Sequence, residues 1–228
     1  KEEGSLNWVK NEKNRPIFKL DRLAPANHIE HTNAHDAMAD VRATIGIARI
    51  IKDTQPKFFN YALSLNDKKE VAQLVKPLHP MLLTSSSFGY KSSFTRLVTS
   101  ICNHPEYNDR SIVFNLNQDP EIFLELESEE LKTLTFSKKS DLPKGIEKLD
   151  LSELVYNKSP MFVCSPNSDN FKLSPILIEK FELNLDKCLK NLRFIQQNSQ
   201  SIEDKVRAIY RNDSDREPSR DVDQSLYD

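Results

Sequence analysis

The chain has 228 residues, a formal net charge of −2 and 38% hydrophobic residues. This length allows roughly one and a half domains with a hydrophobic core, and the near-even charge balance argues against a uniformly basic nucleic-acid-binding domain. No apolar run is long enough for a membrane span or a secretory signal, so we expect a cytoplasmic protein. Cys102, Cys164 and Cys188 are widely spaced without a CxxC pair, and we expect reduced thiols.

The sequence of residues 1–60 predicts four successive pieces: an irregular arm, a short extended piece around Phe18, a loop through Pro25 and Asn27, and one long helix. That helix is predicted over residues 34–53, because apolar side chains recur at helical spacing after good N-cap residues. The apolar positions are Ala37, Val41, Ile45, Ala48 and Ile51, and the N-cap candidates are Thr32 and Asn33.

His35 lies five residues before Asp40 at the start of this helix. The pair suits metal-assisted phosphodiester cleavage, in which carboxylates hold divalent ions and a histidine takes a proton from the attacking water. Two magnesium ions about 4 Å apart need more acidic oxygens than Asp36 and Asp40 supply from one helix. The alternative is structural, since both residue types are common as caps and dipole partners. A zinc site of His28, His31 and His35 has no HExxH motif to support it.

Residues 61–200 begin with a predicted helix over residues 63–75, which Pro77 and Pro80 end. From Met81 the apolar period changes to two, which predicts short strands separated by polar turns. Several short strands at such spacing favour a small barrel. The predicted strands are residues 81–84, 96–102, 111–116, 122–126, 149–156 and 161–164.

The segment 86–94 interleaves aromatic side chains with a lysine and hydroxyl groups. Proteins that bind single strands stack bases on aromatic rings and guide phosphates with cations, so Phe88, Tyr90 and Lys91 are candidate DNA-binding residues. An ordinary β-hairpin has the same composition, and this alternative stays open.

Helical spacing returns after the strands. This spacing predicts helices with a packing role over residues 173–183, 185–197 and 202–210. The polar and highly charged composition of residues 211–224 predicts a linker.

The segment from Ile29 to Thr44, IEHTNAHDAMADVRAT, resembles the last catalytic motif of the bacterial exodeoxyribonuclease I family, a group of histidine-type DEDD exonucleases. The resemblance spans the whole chain. It also covers residues 18–20, 26–27, 157–160, 185–198 and 222–228.

The resemblance implies an α/β chain of three parts. Residues 1–60 would be the C-terminal part of a ribonuclease H-like exonuclease domain. Residues 61–200 would form an SH3-like barrel with added helices. Residues 201–228 would form a helix and a linker toward a C-terminal helical domain.

The implied activity is magnesium-dependent 3′ to 5′ degradation of single-stranded DNA to 5′-mononucleotides, in DNA repair and recombination. By position, His35 resembles the general base and Asp40 the last of four acidic metal ligands. Lys19, Asn157 and Lys158 fall where the family places polar or basic residues near DNA phosphates, although a solvated lysine or a turn would explain them equally well. The implied partner is single-stranded DNA-binding protein, through its acidic C-terminal tail, and we expect a monomer.

The family's other acidic ligands, an Asp-x-Glu pair and a third aspartate, would lie upstream of Lys1. We therefore expect an internal fragment that is inactive by itself. The alternative is a non-catalytic module that binds single-stranded DNA or a protein, in which His35 and Asp40 are vestigial.

Overall fold

The computed structural model describes residues 6–31, 36–164 and 171–211. The chain divides into two compact units, Lys1–Asp67 and Lys68–Asp228. Across the described ranges, no helix is long and apolar enough to cross a membrane. Helices and strands both contribute, which confirms the predicted mixed α and β class.

The first unit contains helices α1 (Leu20–Ala26), α2 (Ala37–Thr54) and α3 (Pro56–Ser64) among its described residues. The predicted loop through Pro25 is wrong, because Pro25 lies inside α1. Burial of Leu23 and Ala24 stabilises this short helix and outweighs the backbone hydrogen bond that proline cannot donate.

Helix α2 begins where its N-cap, Asp36, accepts a hydrogen bond from the backbone N–H of Ala39 at 3.2 Å. The predicted N-caps Thr32 and Asn33 lie outside the described residues. Gly46 lets the segment before α2 pack closely, since a Cβ at this position would lie 2.9 Å from Cδ1 of Ile29.

The single helix predicted over residues 63–75 is wrong. Helix α3 ends at Ser64, and a separate helix, α4 (Lys68–Leu74), follows in the second unit. Asn66 and Asp67 form the intervening turn, and both residue types favour turns over helix interiors.

The second unit contains an antiparallel sheet in the order β4-β3-β2-β1-β5. Its strands match five of the six predicted runs to within a few residues. They are β1 (Pro80–Thr84), β2 (Thr95–Asn103), β3 (Arg110–Asn115), β4 (Leu151–Val155) and β5 (Met161–Cys164).

The sixth predicted strand, residues 122–126, is wrong. The chain there forms helix α5 (Ile122–Glu125), followed by α6 (Ser128–Phe136). A capping box begins α6, because Glu127 and Glu130 each accept from the other's backbone N–H. A short apolar run does not distinguish a buried helical turn from a strand.

Three further helices complete the second unit's described part: α7 (Pro175–Lys180), α8 (Leu185–Gln197) and α9 (Ser199–Tyr210). The predicted helix over residues 185–197 is confirmed. Side chains from α8 and α9 pack against one face of the sheet and against α5 and α6. The most buried members of this core include Ile112, Phe114, Phe123, Leu131, Ile195, Ile202 and Val206.

Candidate functional site

The carboxylate of Asp40 is held by a histidine. The Nε2 atom of His31 lies 2.6 Å from Oδ1 of Asp40. The His31 side chain is 2% exposed and that of Asp40 is 45% exposed, so a buried imidazole supports a carboxylate that faces solvent. Because an ionised carboxylate only accepts hydrogen bonds, Nε2 is the donor.

The segment between α1 and α2 brings the His31 side chain against helix α2. Asn27 anchors it: its side-chain amide donates to the carbonyls of Leu23 at 2.8 Å and Asn7 at 3.1 Å. The backbone N–H of Ile29 donates to the carbonyl of Ala24 at 3.0 Å, and the Ile29 side chain packs over Gly46 of α2. His31 follows two residues later, beside Asp40.

Sequence reasoning considered His31 only as a possible zinc ligand and missed its contact with Asp40, because the two residues lie nine positions apart. The predicted base His35 lies outside the described residues. Asp36 is the helix cap, which fits the structural alternative for that residue. Lys19 is exposed at the N-cap position of α1, on extended backbone, and its phosphate contact stays a prediction.

The resemblance of this motif implies a divalent metal ion. Asp40 fits the part of one ligand, because it is an oxygen donor, is partly exposed and is already oriented by a hydrogen bond. Within the described residues, no group of three or more histidine, cysteine or acidic side chains could hold a metal ion. The described residues would therefore supply one ligand of such a site, Asp40, and do not complete it.

The aromatic loop between β1 and β2 is folded tightly around Gly89. Ser86–Phe88 form a 3-10 turn, and the hydroxyl of Ser85 accepts from the backbone N–H of Ser87 at 3.3 Å. Gly89 has φ +79°, a conformation that glycine adopts without strain, and its carbonyl accepts from Phe94 N–H at 2.9 Å. This loop folds the Phe88 ring back onto strand β2.

Arg96 fixes the Phe88 ring. Its guanidinium carbon lies 4.3 Å from the ring centroid, a cation–π stack. Arg96 also pairs with Asp150 at 2.5 Å, and Asp150 accepts a second bond from Nδ2 of Asn115 at 2.7 Å. The sequence gives no signal for Arg96 beyond one arginine in a predicted strand.

Phe88 and Lys158 line the same cavity of about 330 Å³. Its wall combines the 3-10 turn after β1 with the turn between β4 and β5, Tyr156–Lys158. The cavity thus joins two candidate DNA-binding residues that are 70 positions apart in the sequence. Phe88 also lines a neighbouring cavity of about 180 Å³, together with Lys91 and Arg96.

Tyr90 and Asn157 lie outside the lining of these two cavities. The Tyr90 ring packs edge-on against Phe94, with centroids 6.1 Å apart. Asn157 is exposed in the turn before Lys158. The structure therefore gathers Phe88, Lys91 and Lys158 around adjoining cavities and leaves Tyr90 and Asn157 beside them.

The cysteines are unpaired thiols, as predicted. Burial raises the pKa of Cys102, Cys164 and Cys188 to about 11. A thiol that stays protonated at neutral pH is a poor nucleophile and a poor metal ligand, so these residues have a packing role.

The family described as the exonuclease I SH3-like domain matches residues 66–212, well over half of the chain. The chain is 35% identical over 225 residues to exodeoxyribonuclease I of Escherichia coli strain K12, an alignment that covers 97% of this chain and 46% of that protein. The chain therefore spans about half the length of this relative.

Solved structures of the same protein are similar to this chain. The crystal structure of E. coli exonuclease I in complex with a dA16 oligonucleotide has a TM-score of 0.83 and 33% identity, covering 99% of this chain and 47% of that one. The zinc-bound form of an E. coli exonuclease I complex with single-stranded DNA has a TM-score of 0.80 and 33% identity, covering 99% and 46%.

Proposed function

This chain belongs to the exonuclease I family, and from that premise we propose that the full-length protein is a 3′ to 5′ exodeoxyribonuclease. Its substrate is single-stranded DNA and its products are 5′-mononucleotides. The observation that carries the proposal is the solvent-facing Asp40 carboxylate, held at 2.6 Å by a buried histidine inside the motif that resembles the family's last catalytic segment.

Asp40 would hold a divalent cation, for which we propose Mg²⁺. Such an ion polarises a phosphate and lowers the pKa of a bound water. His35 would take the proton from the attacking water, as the general base. Because the described residues supply one carboxylate ligand, we expect the isolated chain not to cleave DNA.

Single-stranded DNA would contact the second unit at the cavities beside Phe88. An aromatic face can stack any base, and the cations of Lys91 and Lys158 can follow the phosphates. Tyr90, Asn157 and Lys19 are secondary candidates for the same role. The resemblance supports Asn157 and Lys19, the aromatic pattern of residues 86–94 supports Tyr90, and all three side chains are exposed.

The proposed cellular setting rests on the resemblance and, for the compartment, on the composition of the sequence. We propose a monomeric cytoplasmic enzyme of DNA repair and recombination. It would dock to single-stranded DNA-binding protein through that partner's acidic C-terminal tail.

The decisive experiment compares this chain with the full-length protein. Each is incubated with Mg²⁺ and single-stranded DNA carrying one label in its third nucleotide from the 3′ end, and the products are separated by length. With the full-length protein alone, we expect labelled strands that are one and then two nucleotides shorter, followed by the labelled mononucleotide. Binding of DNA by both proteins, without cleavage by either, would contradict the exonuclease and support the non-catalytic binding module.

A further inference from the structure

We propose that His31 is a positioning residue, which holds the Asp40 carboxylate so that its second oxygen faces a divalent cation. The inference rests on the proposed role of Asp40 as a metal ligand. It adds a residue that the motif spacing does not assign and that lies outside residues 66–212, the range of the matched family.

The geometry couples the two side chains directly. His31 Nε2 occupies one carboxylate oxygen of Asp40, Oδ1, at 2.6 Å. The hydrogen bond restricts rotation of the carboxylate and leaves Oδ2 as the oxygen for a cation. Partners of this kind, which orient a ligand without touching the metal, commonly tune metal affinity.

His31 is poorly explained as a packing residue. Its side chain is 2% exposed, and no atom in the described part of the chain makes a hydrogen bond to its buried Nδ1. A buried nitrogen without a partner lowers stability, so an apolar side chain of similar volume would suit a purely structural position better. Among the described residues, the imidazole therefore makes one hydrogen bond, to Asp40, at a cost to the fold.

Hydrogen bonds and close packing anchor the segment that carries His31. Asn27 ties the preceding loop to the carbonyls of Leu23 and Asn7, and Ile29 packs against Gly46. His31 thus enters from an anchored segment, whereas Asp40 comes from the body of α2. A fixed donor reduces the ordering that a cation would otherwise impose on the carboxylate.

The test uses the full-length protein and four variants. In His31→Leu the donor is lost and the volume is kept, whereas in His31→Gln an amide N–H remains near the position of Nε2. Asp40→Asn removes the proposed ligand charge. His28→Gln is the matched control, since His28 is exposed three residues earlier in the same segment.

Three quantities are measured. Binding of Mn²⁺ without DNA is followed by the paramagnetic resonance signal of the unbound ion, thermal unfolding reports stability, and the Mg²⁺ concentration for half-maximal cleavage reports function. We expect His31→Leu to weaken Mn²⁺ binding roughly 10- to 100-fold without lowering the unfolding temperature. His31→Gln should recover most of the affinity, and His28→Gln should match the wild type.

Unchanged Mn²⁺ affinity in folded His31→Leu would overturn the inference, as would a folded His31→Gln that binds as weakly as the leucine variant. If His31→Leu does not fold, His31→Asn replaces it, because the shorter amide cannot reach Asp40. Failure of the proposed function is a separate result: Asp40→Asn would then cleave DNA with the normal Mg²⁺ dependence, whatever the His31 variants do.

Discussion

At the residue scale, the charge of Asp40 is the feature on which the proposed cleavage depends. Replacing Asp40 with Asn keeps the shape of the side chain and removes the negative charge that binds a cation. We expect the full-length Asp40→Asn protein to lose Mg²⁺-dependent release of mononucleotides. Asp36→Asn is the matched control, because asparagine caps a helix as well as aspartate does. Wild-type turnover in Asp40→Asn would remove this residue from the metal site.

The general base makes a second residue-scale prediction. Replacing His35 with Ala should slow cleavage by about 10²- to 10⁴-fold, because a positioned base contributes that much to proton transfer. DNA affinity should stay close to wild type. Single-turnover rates of full-length His35→Ala and of the control His28→Ala separate the chemical step from binding, and equal rates would refute the assignment.

The Phe88 ring offers a third prediction. Phe88 lines two cavities. Arg96 covers its ring at 4.3 Å and lines the cavity of about 180 Å³, whereas Lys158 lines the cavity of about 330 Å³. Replacing Phe88 with Ala should weaken binding of single-stranded DNA by about 1–3 kcal/mol, the usual contribution of one stacked base. Tyr107→Ala is the matched control, since Arg110 covers that exposed ring in the same way at 4.4 Å. Fluorescence anisotropy with labelled oligonucleotides measures both, and equal losses would exclude a stacking role for Phe88.

A charge contact has a different signature from a stacking contact. Each phosphate neutralised on a single strand contributes about 0.7 to the slope of log affinity against log salt concentration. Lys158→Gln should lower that slope by this amount, whereas Lys190→Gln on α8, an exposed lysine that lines neither cavity, should leave it unchanged. An identical slope for wild type and Lys158→Gln would remove Lys158 from the contacts.

The residues of the candidate site are only partly predictable from the sequence. Asp40 follows from the resemblance of its motif. His31 does not follow from it, since its contact with Asp40 depends on a loop that Asn27 anchors and on the close approach of that loop to Gly46 of α2. Arg96 depends likewise on a turn that folds Phe88 back over β2. Pairs formed by tertiary folding leave no periodic trace in the sequence.

At the element scale, periodicity predicted helix α8 and five strands, and it failed at a one-turn helix and at the break between two consecutive helices. Helix α8 repeats its apolar residues over several turns, and its bounds were predicted correctly. The one-turn helix α5 was mistaken for a strand, because Ile122–Glu125 is too short for either period to dominate. The break between α3 and α4 depends on turn chemistry at Asn66 and Asp67 rather than on apolar spacing.

The close approach between the His31 segment and α2 is a property of the helix as an element. Gly46→Val would place a Cβ 2.9 Å from Cδ1 of Ile29, so the segment must shift. Overpacking of this kind costs about 1–3 kcal/mol, which exceeds the gain in helix propensity from removing glycine, below about 1 kcal/mol. We expect lower stability in urea unfolding.

The control for this contact is Thr44→Val, at an exposed position of the same helix. Adding Ile29→Ala to Gly46→Val should recover part of the loss, because it removes the side chain that the new methyl groups meet. A double variant that is no better than the sum of its single changes would show that Ile29 is not the obstacle.

At the scale of the whole molecule, the two units differ in how much core each one contains. The described hydrophobic cluster lies within the second unit, where Phe114, Leu131, Ile195 and Val206 are fully buried. In the first unit, the buried apolar residues are few among those described: Leu23, Ala24, Ala43 and Leu65. Its helices α2 and α3 instead expose large apolar side chains, including Met38, Val41, Ile45, Phe58 and Leu63.

This difference predicts that the units behave differently when they are made separately. Folding requires enough buried apolar surface to offset the entropy of ordering the chain. We therefore expect residues 66–212 to unfold in one cooperative thermal transition and to bind single-stranded DNA with a Phe88-dependent affinity. Residues 1–67 should show no cooperative transition and should bind a dye for exposed apolar surface. Cooperative unfolding of the smaller piece, or a molten larger piece, would show that the cores are not distributed in this way.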